Sequence, residues 1–222
     1  MIDWQHIETV LLDMDGTLLD LHYDNYFWQE HLPEHYARLH DLEPGSCRAM
    51  LTEKFLARDG ELDFYCIDHW SEQLGIELMP IKAEVENRIR FLPGAIELLG
   101  FLDSLPLTTV LLTNAHRKTL ALKDRVLGIC SYVDAAYASH DFGLPKEHPE
   151  FWPAFARAHP FNPATTVMID DNPAVLAAAR NFSIAHCVLP LKPDSQQPAR
   201  SSGGAPGAVE ITALQQLLQQ RR

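Results

Sequence analysis

The stretch Val10-Leu-Leu-Asp-Met-Asp-Gly-Thr-Leu18 places two carboxylates, those of Asp13 and Asp15, directly after a short apolar run. A second stretch, Val167-Met-Ile-Asp-Asp-Asn172, likewise ends an apolar run in a pair of acidic residues. Each run is long enough for one buried strand of a parallel sheet, and open α/β sheets bind their ligands beyond the carboxyl ends of such strands. We therefore expect both acidic pairs to lie in one crevice at the edge of a sheet.

Predicted strands and helices alternate along most of the chain. The two runs above predict strands at 8–13 and 165–169, and further apolar runs predict strands at 107–112, 135–138 and 184–189. Helical periodicity between them predicts helices at 94–104, 118–127, 148–158 and from Pro173 onward. Because such alternation builds parallel sheets with helices on both faces, the predicted fold class is α/β with a doubly wound parallel sheet.

The segment 19–91 interrupts this alternation with helical periodicity alone. It predicts four helices, with Pro and Gly residues between them, at 24–39, 46–58, 63–74 and 81–89. We therefore expect a small helical domain at 19–91, inserted between the two parts of an α/β core at 1–18 and 92–191.

The tail, residues 192–222, differs in composition from the rest of the chain. Residues 192–207 are rich in Pro, Ser, Gly and Gln, which predicts a flexible linker. Residues 211–219 predict one short C-terminal helix, and we favour its packing back onto the core over binding to a partner.

Composition restricts the classes of partner and compartment. The chain has 222 residues, 46% of them hydrophobic, and a formal net charge of −12, which argues against nucleic acid or an anionic membrane as a partner. Its four cysteines have no CxxC spacing and predict reduced thiols in a cytoplasmic protein. Cys66-x-x-His69 has no two further ligands nearby in the sequence, so we interpret it as packing plus a surface histidine. We expect a monomer or a small homo-oligomer.

Carboxylates that share a crevice repel one another, so each must be neutralised, hydrogen-bonded or bound to a cation. A hard divalent cation, Mg²⁺, is the simplest partner for the two acidic pairs, Asp13 with Asp15 and Asp170 with Asp171. Mg²⁺ binds through few carboxylates, several waters and phosphate oxygens. The acidic residues therefore predict phosphoryl chemistry on a small-molecule phosphate ester.

Four short motifs in order resemble those of the haloacid dehalogenase-like (HAD) hydrolase superfamily. Asp13-x-Asp15-Gly-Thr17 resembles the first motif, and Leu111-Leu-Thr-Asn114 resembles the second. Lys146, in Phe142-Gly-Leu-Pro-Lys-Glu147, resembles the third, and the pair Asp170-Asp171 resembles the fourth. The resemblance implies the α/β core predicted above, a helical cap at the position of the inserted segment, and hydrolysis of phosphate monoesters.

The chain is similar in more detail to the bacterial GMP/IMP nucleotidase members of this superfamily, over about residues 4–190. The similarity lies in the motif segments above and in two segments of the inserted domain, Asp24-Asn-Tyr-Phe-Trp-Gln29 and Trp70-Ser-Glu-Gln-Leu-Gly75. This resemblance implies a purine nucleoside 5′-monophosphate phosphohydrolase. A sugar-phosphate phosphatase, a sugar phosphomutase and, outside the enzymes, a phosphoacceptor signalling domain remain as alternatives.

The resemblance also implies a role for each motif residue. Asp13 is expected to be the nucleophile that forms an aspartyl-phosphate, and Asp15 the acid and base. Thr113, Asn114 and Lys146 are expected to bind the phosphate.

Mg²⁺ is expected to bind the Asp13 carboxylate, the main-chain carbonyl of Asp15 and the acidic pair. Asp171 aligns better with the family's ligand, while Asp170 either binds the metal directly, binds it through water or orients Lys146. Substrate specificity is expected to reside in the inserted domain, with Asn25 and Tyr26 as the first candidates.

Overall fold

The computed structural model describes residues 2–218, and within them six strands form one parallel sheet in the order β3-β2-β1-β4-β5-β6. The strands are β1 Thr9–Leu12, β2 Thr108–Thr113, β3 Ala135–Ala138, β4 Thr166–Ile169, β5 His186–Pro190 and β6 Val209–Ile211. This architecture confirms the predicted α/β fold class. Because β1 lies at the centre between β2 and β4, the carboxyl ends of all three meet at one edge of the sheet.

Helices cover both faces of the sheet. The α-helices are α1 His22–Tyr26, α2 Leu32–His40, α3 Pro44–Leu56, α4 Ile67–Leu74, α5 Leu78–Ala83, α6 Ala95–Asp103, α7 Arg117–Leu127, α8 Phe151–Ala158 and α9 Pro173–Asn181. Short 3-10 turns lie at Trp4–His6, Leu62–Tyr65, Glu86–Arg88, Ile129–Tyr132, Ser139–Asp141, Pro163–Thr165 and Leu214–Leu217. Within residues 2–218 no helix is both long and apolar enough to cross a membrane.

The central strands are buried on both faces, as continuous apolar runs in parallel sheets usually are. Successive side chains of a strand point to opposite faces. Val10 and Leu12 accordingly pack with α6 and the inserted segment, while Leu11 packs with α8 and α9. These two cores fix the strand ends and therefore the position of the residues that follow them.

The inserted segment contains α1 to α5, all between β1 and β2. The helix predicted at 24–39 begins earlier, at His22, and contains a π-helical turn at Phe27–His31. The backbone N–H of Leu32 bonds the carbonyl of Phe27, five residues earlier. Because Pro33 has no backbone N–H, the ordinary helical ladder cannot pass through it unchanged. The division into core and cap domains stays a prediction.

The tail differs from the prediction of a helix at 211–219. Ile211 ends β6, and only Leu214–Leu217 form a single 3-10 turn, while Gln219 lies outside the described residues. Leu214 and Leu217 are buried, and the carbonyl of Leu217 accepts a hydrogen bond from the Trp4 indole N–H at 3.0 Å. The tail therefore adds a sixth strand to the sheet and packs against the core.

Candidate active site

The two acidic pairs meet at the carboxyl ends of β1 and β4. Asp13 follows β1, and its backbone N–H donates to the carbonyl of Ile169, the last residue of β4, at 2.9 Å. Carboxylate oxygens of Asp13, Asp170 and Asp171 lie within 4.8 Å of one another, and all three residues are buried. We refer to these three residues as the aspartate cluster.

Lys146 supplies a buried positive charge beside this cluster. Its Nζ donates to Asp13 Oδ1 at 2.6 Å, to Asp170 Oδ2 at 2.7 Å and to the carbonyl of Leu112 at 2.9 Å. Burial lowers the pKa of Lys146, but the two carboxylates together raise it above its usual value. The lysine is therefore charged, and it fixes Asp13 in one orientation.

Burial raises the pKa of all three carboxyl groups of the aspartate cluster. The pKa of Asp13 is raised to about 7, that of Asp170 to about 6 and that of Asp171 to about 7, with charge repulsion among them adding to the effect of burial. The positive charge of Lys146 offsets part of this repulsion. An all-oxygen donor set with excess negative charge fits a hard divalent cation such as Mg²⁺.

The two members of the acidic pair have different hydrogen-bond partners. Asp170 accepts from Lys146 through one oxygen and from the backbone N–H of Asn172, at 2.8 Å, through the other. Asp171 instead accepts from Arg200, whose Nη2 lies 3.0 Å from Oδ2 and whose Nη1 donates to the main-chain carbonyl at 2.6 Å. Asp170 is therefore hydrogen-bonded to Lys146, and the tail brings a second cation to Asp171.

Gly16 makes room for Asp171 in the turn after β1. Its φ is +86°, a left-handed conformation that glycine adopts without strain. A Cβ atom here would lie 2.6 Å from Cγ of Asp171. The glycine of the first motif is therefore required both by the turn and by the approach of the acidic pair.

Asp15 belongs to a second charged network, which links the core to the inserted segment. Lys123 of α7 donates through Nζ to Asp15 at 2.5 Å and to Asp24 of α1 at 2.6 Å. Lys82 of α5 donates to the other oxygen of Asp24 at 2.7 Å. Both lysines are buried, with relative accessibilities of 1%. The network therefore holds the Asp15 carboxylate at a fixed place beside Asp13.

Asp15 and Asp24 differ in pKa because the lysines are shared unequally. Burial raises the pKa of Asp15 to about 6, although Lys123 opposes the rise. Burial also acts on Asp24, but Lys123 and Lys82 together lower its pKa to about 2. Asp24 is thus the permanent anion of the network, while Asp15 can take up and release a proton near neutral pH, as an acid–base group requires.

Substitution of Lys123 by Met is expected to lower the free energy of unfolding by about 3–5 kcal/mol, because it leaves two carboxylates without their shared cation. Urea unfolding would measure the change. Lys118→Met on the same helix is the matched control, because its ion pair with Asp68 is half exposed and such surface pairs contribute little to stability. Equal stability of the two variants would contradict a structural role for the network.

The phosphate-binding candidates Thr113 and Asn114 stand at the end of β2. Thr113 Oγ1 accepts from the backbone N–H of Ala115 at 3.0 Å, which leaves its hydroxyl proton free to donate. Asn114 Oδ1 accepts from the backbone N–H of Lys146 at 2.9 Å, and its Nδ2 donates to Glu147 at 2.8 Å. The second and third motifs are therefore tied directly to each other.

Glu147 connects this edge of the sheet to the inserted segment. Its carboxylate accepts from Asn114, from Asn172 at 2.8 Å and from the hydroxyl of Tyr65 at 2.5 Å. Burial, and then the charge of Glu147, raise the pKa of Tyr65 above its usual range, so this hydroxyl keeps its proton and donates. The Tyr65 contact places one aromatic residue of the insertion next to the motif residues.

A cavity of about 550 Å³ opens over these groups. Its floor contains the residues predicted from the motifs, which are Asp13, Asp15, Thr113, Asn114, Lys146, Asp170 and Asp171. Its wall from the inserted segment includes the aromatic residues Trp28, Phe55, Phe64, Tyr65 and Trp70. The site therefore combines charged groups of the core with aromatic side chains of the inserted segment.

The two specificity candidates are placed differently. Asn25 lines the cavity, and its Nδ2 donates to Asp194 of the tail at 2.8 Å. Tyr26 is not among the lining residues, because its ring lies under the guanidinium of Arg88 at 3.6 Å and stacks on His31. The structure therefore brings Asn25, and not Tyr26, to the site.

Sequence reasoning missed five residues of this site: Asp24, Lys82, Lys123, Glu147 and Arg200. One of them could have been noticed, since Lys123 falls three residues after Leu120 and four before Leu127 on the face of a predicted amphipathic helix. A lysine on such a face needs a buried partner. Asp24 and Glu147 lie in segments that carry the resemblance, but no role was assigned to them, while Lys82 and Arg200 carry no comparable local signal.

Comparison with known proteins identifies the family of the chain. The haloacid dehalogenase-like hydrolase family matches residues 7–183, and the chain belongs to that family. It is therefore an enzyme, a hydrolase, and the family predicted from the four motifs is confirmed.

The chain is similar to particular members of the family. It is 39% identical over 194 residues, 87% of each protein, to the GMP/IMP nucleotidase YrfG of Escherichia coli. Among solved structures, the HAD phosphatase from Thermococcus onnurineus matches with a TM-score of 0.78 and 18% identity, covering 95% of this chain and 96% of that one. An L-2-haloacid dehalogenase from Xanthobacter autotrophicus matches with a TM-score of 0.67 and 20% identity, covering 96% and 97%. At such identities these structures establish the fold alone.

Proposed function

We propose that the chain is a Mg²⁺-dependent phosphomonoesterase that acts through an aspartyl-phosphate on Asp13, and that its substrates are purine nucleoside 5′-monophosphates, GMP and IMP. The observation that carries the proposal is the convergence on one cavity of Asp13, Asp15, Lys146 and the acidic pair. The similarity to a GMP/IMP nucleotidase supports the choice of substrate.

In the first step, Asp13 attacks the phosphorus atom through a carboxylate oxygen. Its Oδ1 is held by Lys146, which leaves Oδ2 to form the new P–O bond while the bond from phosphorus to the 5′-oxygen breaks. Asp15 gives its proton to the departing 5′-oxygen. A pKa of about 6 suits this transfer, because an acid works best when its pKa lies near the working pH.

In the second step, the same Asp15, now a carboxylate, removes a proton from a water molecule that attacks the phosphorus. The acyl–phosphate bond breaks, inorganic phosphate leaves and Asp13 returns as a carboxylate. Lys123 keeps Asp15 in place through both steps, and Thr113 is positioned to donate to a phosphate oxygen.

Asp13, Asp170, Asp171 and the main-chain carbonyl of Asp15 would hold Mg²⁺. When bound, the ion would neutralise the charge of the phosphate and of the carboxylates around it, so that the anionic nucleophile can approach an anionic substrate. The raised pKa of each carboxyl group in the aspartate cluster supports this assignment.

The aromatic wall supports a nucleotide over a sugar phosphate. Trp28, Phe55 and Trp70 are packed edge to face, with ring centroids 5.1 and 4.8 Å apart. Aromatic side chains offer apolar contacts to a purine ring, whereas a sugar phosphate calls mainly for hydrogen-bond donors and acceptors. Asn25 offers an amide at the same cavity for contacts to polar groups of the substrate.

Phosphate release from a panel of phosphate esters tests the proposal. We expect Mg²⁺-dependent release from GMP and IMP, little from AMP and UMP, none from glucose 6-phosphate or β-glucose 1-phosphate, and loss of all activity in EDTA. Release restricted to the sugar phosphates would keep the chemistry and overturn the substrate. Full turnover in excess EDTA would overturn the metal requirement.

A further inference from the structure

A second group of metal-ligating side chains lies apart from the aspartate cluster. Cys66 of the inserted segment and two residues of the core, His116 and His140, bring one ligand atom each to within 4.8 Å of the others. Cys66 and His116 are the N-cap residues of α4 and α7, and His140 lies in the 3-10 turn Ser139–Asp141. We refer to these three as the Cys–His cluster.

His140 is the unusual member of this cluster. Both of its ring nitrogens are buried, and neither has a hydrogen-bond partner within residues 2–218. Buried polar atoms nearly always have partners, so an orphaned imidazole calls for an explanation. Burial, and then the proximity of His116, lower the pKa of His140 to about 4, so the ring is neutral and has a free nitrogen lone pair.

The other two side chains are positioned by the backbone of their own helices. Cys66 Sγ accepts from the backbone N–H of His69 at 3.4 Å. The rings of His116 and His140 stand perpendicular, with centroids 4.8 Å apart. In the cap of α7, Nδ1 of His116 accepts a long hydrogen bond of 3.3 Å from the backbone N–H of Lys118. Metal binding would break this bond in either mode. A metal on Nδ1 uses its lone pair, and a metal on Nε2 leaves the ring proton on Nδ1.

Nearby charges favour a cation at this position. The Asp68 carboxylate lies 3.9 Å from Nε2 of His116, and the negative charges of Asp141, Asp63 and Asp68 all act on His140, where they oppose the lowering of its pKa. Lys118, which pairs with Asp68 at 2.7 Å, offsets part of this charge. A divalent ion would meet a net attractive environment.

We propose that Cys66, His116 and His140 bind a divalent transition-metal ion of the Zn²⁺ class, with solvent in the remaining position. A thiolate with two imidazoles is a donor set that selects Zn²⁺ and Co²⁺ and not Mg²⁺ or Ca²⁺. This site is therefore chemically distinct from the all-oxygen aspartate cluster. Because Cys66 belongs to the insertion and both histidines to the core, the ion would tie the two together.

Co²⁺ titration of the full chain in excess Mg²⁺ tests the proposal, since Mg²⁺ fills the aspartate cluster first. Bound thiolate gives Co²⁺ an intense near-ultraviolet charge-transfer band, which oxygen ligands do not. We expect this band to saturate at one Co²⁺ per chain, to disappear on addition of Zn²⁺, and to be absent in Cys66→Ser. Zn²⁺ should also raise the melting temperature of the wild-type protein, because it binds only the folded state.

Two further variants complete the test. His140→Ala should weaken Co²⁺ binding by more than roughly 10–100-fold, which is the usual loss when a residue that only contacts a metal ligand is replaced. The variant should still fold, because the substitution removes a buried polar group that has no hydrogen-bond partner within residues 2–218. Cys130→Ser is the matched control, a partly buried thiol outside the Cys–His cluster, and should keep the band. A wild-type spectrum without the thiolate band, or an unchanged band in Cys66→Ser, would overturn the proposal.

Discussion

Replacement of Asp13 by Asn is expected to lower turnover by about 10⁴-fold or more, as loss of a nucleophile does in other enzymes with covalent intermediates. The amide is a poor nucleophile, so no acyl-phosphate forms on residue 13. Rapid acid quenching with labelled substrate should trap a hydroxylamine-sensitive phosphoenzyme in the wild-type protein and none in the variant. Wild-type turnover in Asp13→Asn would contradict the covalent mechanism.

The same substitution is expected to leave the fold intact. Because burial raises the pKa of Asp13 to about 7, the ionised carboxylate opposes folding at neutral pH when no cation is bound, and this cost grows as pH rises from the unfolded pKa toward 7. A neutral amide avoids the cost. In EDTA at neutral pH we therefore expect Asp13→Asn to melt no lower than the wild type. Asp103→Asn, which removes an exposed charge outside the cavity, is the control for loss of charge alone.

The raised pKa values of Asp13, Asp170 and Asp171 show that the aspartate cluster lowers the stability of the folded protein. Three buried carboxylates with a single buried lysine are a costly combination for stability, and a folded protein keeps such groups where function needs them. The α/β core tolerates this loss of stability because its central strands are buried on both faces, and this packing fixes the positions of the strand ends. Stability of the sheet and the proposed reactivity at its edge thus reside in consecutive residues, Leu12 and Asp13.

The sheet could be predicted where strand signals are strong. The runs that form β1, β2 and β4 are apolar and followed by motif residues, so their positions were predictable to within about one residue. β6 has three residues, Val209–Ile211, after a segment rich in Pro and Gly. So short a run shows no periodicity, and its strand conformation comes from pairing with β5, a contact that local sequence does not encode.

The motif residues of the site were predictable because four of them, Asp13, Asn114 and the pair Asp170-Asp171, directly follow a strand and the others belong to recognisable motifs, but their partners were not. Lys123 meets Asp15 across 108 residues of sequence, and Arg200 meets Asp171 from the tail. Such contacts depend on how the insertion and tail pack, which local patterns leave open. Tyr26 illustrates the converse: it follows Asn25 directly, yet one step along a helix turns its ring away, toward Arg88.

The Cys–His cluster shows the same dependence on tertiary packing. From sequence, Cys66 and His69 lacked two further ligands nearby, and the pair was interpreted as packing plus a surface histidine. The structure brings His116 and His140 to Cys66 from 50 and more residues away, while His69 itself lies near Asp63. A spacing rule for metal ligands finds only sites built within one local segment.

Replacement of Asp15 by Asn is expected to slow turnover of GMP by about 10²–10⁴-fold, the usual contribution of a positioned acid or base. Both steps should suffer, because the amide can neither protonate the leaving 5′-oxygen nor activate water. The two effects separate with p-nitrophenyl phosphate, whose leaving group departs without a proton. The variant should then release a burst of one p-nitrophenolate per active site and stop at the phosphoenzyme.

The burst distinguishes an acid–base role for Asp15 from a purely structural one. The side chain also anchors Lys123, so a loss of packing could slow turnover without any change in the chemistry. A distorted site would lower the rate of both steps for p-nitrophenyl phosphate and give no burst. Retention of the burst with slow hydrolysis assigns Asp15 to water activation, whereas wild-type rates with both substrates would assign the acid and base to another residue.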